Sequence, residues 1–332
     1  LEDYRFKKEE NKIGSGRWDS TVYRSTSTAR VAAKVDDFAY SASASSIHDN
    51  LDPRRINTKP FGKLESRDSA EHPESNAIAV SFDVTGSNIS RAREAQKVLD
   101  KLMGLLTKYI KDPQVSFAAN DDYKVEGRKS VQMSDFESDI RIDEHLRNIW
   151  LVGDGGGNDG ESYDLIMYAY AYKTVLDCFE KRGKKGYLFM YCDEPIFDFV
   201  DKHEVKDIFG DTIQKNIPIA EVIEDLRKLY TVYIIWPRQG YDHALKQYKQ
   251  LFGDEFVLEL QHPNMICELI GTTVGLNEQN LDEDTAIHDL VASGTSKKDA
   301  KELVTAALAK IPKSAKATGE LVKSGAGSAA RL

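Results

Sequence analysis

Between Asn76 and about Gly275 the chain alternates short apolar runs with longer amphipathic stretches, and that alternation decides its fold class. Strand-like runs fall at 76–83, 115–119, 149–152, 187–192, 231–236 and 256–260, with a further edge strand within 130–136. Helical patterns lie between them at 89–110, 163–182, 195–209, 218–229, 241–251 and 264–270. In the first of these Leu99, Leu102, Met103, Leu105 and Leu106 share one face. Strands separated by helices of that length pair in parallel through crossovers, which lay helices on both faces of the sheet. The expectation is a three-layer α/β/α, doubly wound, mostly parallel sheet. In such a sheet ligands bind beyond the carboxyl ends of the strands.

Three of those strand ends carry oxygen ligands. Asp83-Val84-Thr85-Gly86-Ser87 places one carboxylate and two hydroxyls at alternate positions of a turn. These are hard donors, which suit Mg²⁺ or Mn²⁺ better than Zn²⁺. A helix N-terminus alone attracts anions, so a cation held there needs a carboxylate, and Asp83 supplies it. The second run, Ile149-Trp150-Leu151-Val152, leads into Gly153-Asp154-Gly155-Gly156-Gly157-Asn158-Asp159-Gly160-Glu161-Ser162. The third, Tyr187 to Tyr191, leads into Cys192-Asp193-Glu194-Pro195. Carboxylates gathered at one end of a sheet repel one another unless a cation sits among them.

The D-x-T-x-S turn resembles the first segment of the metal-ion-dependent adhesion site of von Willebrand factor A domains. The Gly-rich loop is similar to that family's G-G-G-D-x-P-E turn, with Asn158 where the family has Asp or Thr and Asp159 one step on. Cys192 to Pro195 is similar to its T-D-x-P segment. The resemblance covers about 76–275 and implies one divalent cation, Mg²⁺ or Mn²⁺. It implies Asp83, Thr85 and Ser87 as ligands, directly or through water. Asn158 or Asp159 would add a donor from the second loop. Asp193 would ligate or bond a bound water, and Asp154 and Glu161 would be outer carboxylates. A coordination position would stay open for a Glu or Asp of a protein partner. That chemistry is binding, and it makes and breaks no bond.

Other chemistries lack their motifs. The residue two after Asp83 is Thr85, so the second carboxylate of an aspartate-nucleophile phosphatase is missing. No G-x-x-x-x-G-K-[ST], H-E-x-x-H or G-x-S-x-G occurs. The seven histidines are dispersed, and His72 reads as a surface-loop residue. The formal net charge is −9, residues 1–75 are balanced, and residues 294–332 carry eight Lys/Arg against three acids. The middle of the chain is therefore strongly acidic, which disfavours nucleic acid. No apolar run reaches the roughly 18 residues of a membrane span. Three widely spaced cysteines read as buried thiols, and no apolar leader is visible; the expected setting is cytoplasmic, or a virion component.

The expected organisation is an extended arm at 1–75, the A-type domain at 76–275, a small helical hairpin at 276–311 and a flexible basic tail at 312–332. Thr295 or Ser296 is available to cap the second hairpin helix. Three functions are in view. The first is a metal-dependent adhesion or assembly module, and the second a structural subunit of a larger phage or bacterial assembly that uses its arms. The third is RNA binding or metal-dependent phosphate chemistry.

Overall fold

The computed structural model describes residues 16–86, 93, 99–151, 160–237, 241–260 and 262–311. Its strands are β1 (Leu64–Ser66), β2 (Asn76–Asp83), β3 (Pro113–Asn120), β4 (Val131–Met133) and β5 (Thr174–Leu176). They continue with β6 (Gly186–Tyr191), β7 (Phe199–Val200), β8 (Ile217–Pro218), β9 (Tyr230–Pro237) and β10 (Val257–Leu260). Six of them form the central sheet in the order β10-β9-β6-β2-β3-β4. Every neighbouring pair is parallel except β3 with β4. This is the expected mostly parallel sheet flanked by helices.

Strand β2 is buried along its whole length, as a central strand covered on both faces must be. Its alternate side chains feed two cores. Ile78, Val80 and Phe82 pack with Leu102, Leu105, Leu106, Leu269 and Ile270, while Ala77 and Ala79 pack with Leu165, Ile166, Leu188 and Leu226. On the first face the helix Ile266–Asn277 lies against the helix Leu99–Tyr109. The approach is close because glycine sits at the contact: a Cβ on Gly271 would lie 2.7 Å from Leu105 Cβ.

Several elements differ from expectation for local reasons. Residues 149–151 are buried or half-buried but form no strand. Their backbone groups are taken by side chains: Trp150 N donates to Gln132 Oε1 at 2.7 Å, Gln132 Nε2 donates to Trp150 O at 2.7 Å, and Leu151 N donates to Ser41 Oγ at 3.0 Å. The helix expected at 163–182 ends at Tyr172. There the Thr174 hydroxyl bonds the Tyr170 carbonyl at 2.6 Å and residues 174–176 pair in parallel with β1, before a short helix at Asp177–Arg182. The stretch 195–209 holds a two-residue strand before its helix, Lys202–Phe209.

The N-terminal segment is not extended over its described part. It contains the helix Ser20–Ala32, capped by Asp19, whose carboxylate accepts from Thr21 N and Val22 N. Tyr23, Phe38 and Leu51 enter the same core as β2. Arg30 of the same helix pairs with the buried Asp143 at 2.9 Å. Spacing could not reveal this, because few apolar residues anchor a long polar segment. At the other end lie the helices Glu283–Ala292 and Lys297–Ala309, with Ser296 as the cap of the second. Their Leu290, Leu303, Val304 and Ala307 also join the β2 core. The tail at 312–332 lies outside the described residues. Cys178, Cys192 and Cys267 are buried thiols. Among the described residues no helix is long and apolar enough to cross a membrane.

Candidate metal centre

Parallel pairing puts the carboxyl ends of β2, β3 and β6 side by side, with Asp83 opposite Asn120 and Ser81 opposite Met190. Asp83 is therefore the last residue of a buried strand, and its side chain is wholly buried. Its Oδ1 accepts from Thr85 N at 2.8 Å and from the Thr85 hydroxyl at 2.6 Å, which closes the turn after the strand. Its Oδ2 accepts from the Tyr163 hydroxyl at 2.6 Å. The same hydroxyl lies 3.2 Å from Asp193 Oδ1. The structure thus brings Asp83, Thr85 and Asp193 together. Ser87, Asp154, Asn158 and Asp159 lie outside the described residues.

Three carboxylates that the sequence reading did not place among the ligands share this end of the sheet. Asp121 and Asp122 follow β3 directly and are fully buried; Glu161 precedes the helix Tyr163–Tyr172 and is 3 % exposed. The loops that carry them are tied together. Val84 N donates to Asn120 O at 2.9 Å, Tyr123 N to Ser162 Oγ at 2.9 Å, and Glu161 N to Pro195 O at 3.2 Å. Asp122 Oδ2 and Glu161 Oε2 are buried without a hydrogen-bond partner among the described residues. The available signal was Asn120-Asp121-Asp122 at the end of an apolar strand, adjacent in the sheet to Asp83.

The electrostatics follow from that crowding. Burial, then the charge of Asp193, pushes the Asp83 carboxyl up to about 7, against the hydrogen bonds from Thr85 and Tyr163 that hold it down. Burial, then Asp83, Asp121, Asp122 and Glu194, pushes Glu161 up to about 10. The groups that act most strongly on these two are acids or neutral donors, and none is positively charged. Such a site either keeps protons or takes up a cation. Its donors are all oxygen, from carboxylates and a hydroxyl, so the residues present fit a hard divalent ion.

Two further groupings are present elsewhere. His262, Asp299 and Glu302 bring one ligand atom each within 4.8 Å of one another, on the surface beyond β10. At the opposite end of the sheet, a cavity of about 820 Å³ is lined by Trp18, His72, Tyr109, Asp112 and Ser138, among others. His72 is buried there and not a surface-loop residue. Its Nδ1 lies 3.3 Å from Asp112 Oδ1, and its Nε2 lies 3.0 Å from Ser138 Oγ and contacts the Gly16 carbonyl. A carbonyl oxygen can only accept, so Nε2 carries a hydrogen and cannot take the Ser138 proton in this arrangement. His72 pins the Gly16 backbone to the sheet.

No family model matches the chain, and no curated protein matches it. Among solved structures, the chain is similar to a pilus adhesin, SpaC from Lactobacillus rhamnosus GG, with TM-score 0.42 and 8 % identity over 64 % of this chain and 30 % of that one. Proximal thread matrix protein 1 of the mussel byssus gives TM-score 0.38 and 12 % identity over 62 % and 48 %. A von Willebrand factor type A protein from Catenulispora acidiphila gives TM-score 0.37 and 12 % identity over 61 % and 42 %. The chain thus matches less than half the length of each of these structures. Likenesses at this level carry no argument about function.

Proposed function

We propose that the carboxyl end of the sheet at Asp83, Thr85 and Asp193 holds one divalent cation, Mg²⁺ or Mn²⁺. Through it the chain binds a carboxylate of a protein partner, as an adhesion or assembly module. One observation carries the reading. Asp83 is wholly buried and faces Asp193 across a single phenolic hydroxyl, and the charge of Asp193 helps to push the Asp83 carboxyl up to about 7. Ser87 and Asn158 or Asp159 would complete the ligand set. When bound, the ion would supply a positive centre with an open coordination position. The chain's own part is to hold that position at the surface end of a rigid strand. Thr85 orients Asp83 through two hydrogen bonds, and Tyr163 fixes the spacing between Asp83 and Asp193. Lys or Arg of a partner would be repelled from such a centre, and Asp or Glu attracted. The same acidic surroundings disfavour phosphate chemistry and RNA.

The test is Mn²⁺ titration calorimetry on the full chain and on Asp83→Ala, followed by capture of partners with and without chelator. Binding at one position that Asp83→Ala abolishes, with partners lost on chelation, is the expected result. Equal Mn²⁺ affinity in both proteins overturns the assignment. Partners that stay bound in excess chelator favour instead a structural subunit that assembles through its arms, 1–75 and 312–332.

A further inference from the structure

We propose that His262, Asp299 and Glu302 hold a divalent ion of the zinc class, which clips the helix Lys297–Ala309 to the carboxyl end of β10. The site is independent of the Asp83 reading. It lies on the edge strand, with β9 and β6 between it and β2.

The first argument is distance. The three side chains bring one ligand atom each within 4.8 Å of one another. His262 Nε2 stands 3.9 Å from Asp299 Oδ1, too far for a hydrogen bond. Zinc bonds to nitrogen and oxygen ligands are about 2.0–2.2 Å long, so two ligands of one ion stand about 3.3–4.2 Å apart. The gap between His262 and Asp299 falls in that range. His262 and Glu302 are exposed, and small rotations of their side chains bring the third ligand into it.

The second argument is preorganisation. Asp299 and Glu302 are three apart on a helix and therefore share a face. Asp299 Oδ2 accepts from the Ser296 hydroxyl at 2.7 Å, and Asp299 N donates to Ser296 Oγ at 3.1 Å. Those bonds fix the carboxylate and leave Oδ1 to face His262. The His262 carbonyl accepts from Met265 N at 3.0 Å, which closes the turn over Pro263–Met265 and holds the imidazole's base in place.

The third argument is the surroundings. The three ligands line one small cavity together with Leu260, Met265, Leu269 and Leu303, all of them buried. An apolar floor limits solvent access on one side and strengthens the attraction between ion and carboxylates. One imidazole with two carboxylates suits zinc, whereas Mg²⁺ prefers oxygen alone. Two carboxylates neutralise the ion, and water fills what remains of its coordination.

The placement gives the ion a task. Lys310, just past the far end of the same helix, donates to the Asp254 carbonyl at 2.8 Å, and Leu303, Val304 and Ala307 between the ends enter the core. An ion at His262 fastens the first turn as Lys310 fastens the last.

Calorimetric titration of Zn²⁺ into the full chain, with Mg²⁺ in excess to block oxygen-only positions, tests this. Wild type should bind one Zn²⁺. His262→Gln and Glu302→Gln should each weaken binding about tenfold or more, since even the loss of a residue that only orients a ligand costs about 10–100-fold. Asp299 is left unchanged because it also caps the helix. Zn²⁺ should raise the melting temperature of wild type and of Asp83→Asn, but not that of His262→Gln. The zinc-edge X-ray absorption spectrum of the wild-type complex should show one imidazole ligand. No zinc bound by wild type, equal affinity in His262→Gln, or a spectrum without imidazole overturns the proposal. Zinc lost in Asp83→Asn and kept in His262→Gln also overturns it, and places the ion at Asp83 instead.

Discussion

The Tyr163 hydroxyl donates to Asp83 Oδ2 at 2.6 Å across 80 residues of sequence. Because it also lies 3.2 Å from Asp193 Oδ1, one hydrogen stands between two carboxylates that would otherwise face each other directly. A hydrogen bond to a charged group contributes about 1.5–3 kcal/mol. Tyr163→Phe should therefore destabilise the metal-free protein by about 2 kcal/mol at pH 8, where Asp83 is mostly ionised. It should also raise the Asp83 pKa further, since this bond is one of the influences holding it down. Urea denaturation measures the first effect; an unchanged midpoint would show that the bond contributes nothing.

Stability of the metal-free protein should depend on pH through Asp83 in a direction opposite to that of a salt-bridged acid. Its folded pKa of about 7 lies above its ordinary value near 3.8. Between those values the unfolded chain has released the proton and the folded chain still holds it, so stability falls as pH rises from about 4 to 7, then levels off. Asp83→Asn removes this contribution. The difference in unfolding free energy between wild type and Asp83→Asn should shift against wild type across that range in chelator. A flat difference would mean that Asp83 ionises normally.

Deleting residues 1–75 should abolish cooperative folding of the rest. The deletion strips Tyr23, Phe38 and Leu51 from the β2 core and leaves Asp143 buried without Arg30. Breaking a buried ion pair by removing one partner costs about 3–5 kcal/mol by itself. The readout is soluble yield and the thermal transition of 76–332. A truncated chain that melts at the wild-type temperature would show that the segment only decorates the domain.

Gly271→Ala should destabilise the fold by about 1–3 kcal/mol, the usual range for overpacking. The new methyl group would stand 2.7 Å from Leu105 Cβ, an atom close to the backbone of the opposing helix that has little freedom to move. In a Leu105→Gly background, which lacks that Cβ, the substitution should cost less than it does in the wild-type protein, and a double mutant worse than the sum of the singles would contradict the packing account.

What the sequence revealed and what it hid divide along a physical line. The central strands were legible because a parallel strand buried on both faces is an apolar run, as in Asn76 to Phe82. Asp83 and Asp193 were legible because each directly follows such a run. Glu161 was legible only as an outer carboxylate, and Asp122 was not, since nothing in its own segment says that Tyr123 N will reach Ser162 Oγ. Ile149 to Leu151 reads as a strand by composition, but Gln132 and Ser41 occupy its backbone. Those contacts join residues 18 and 110 apart, beyond the reach of any local pattern. Tyr23 and Arg30 show the same limit: their partners are chosen by the tertiary structure.

Strand β4 sets a boundary on how copies of this protein can join. It is three residues long, pairs antiparallel with β3, and has its Met133 N–H already engaged by the Leu51 carbonyl at 2.8 Å. A lateral edge of this kind offers no length of unpaired backbone for a foreign strand to zip onto. Strand addition is blocked on that side by the chain's own N-terminal segment, so contacts made at this edge fall to loops and helix faces, where side chains set the specificity.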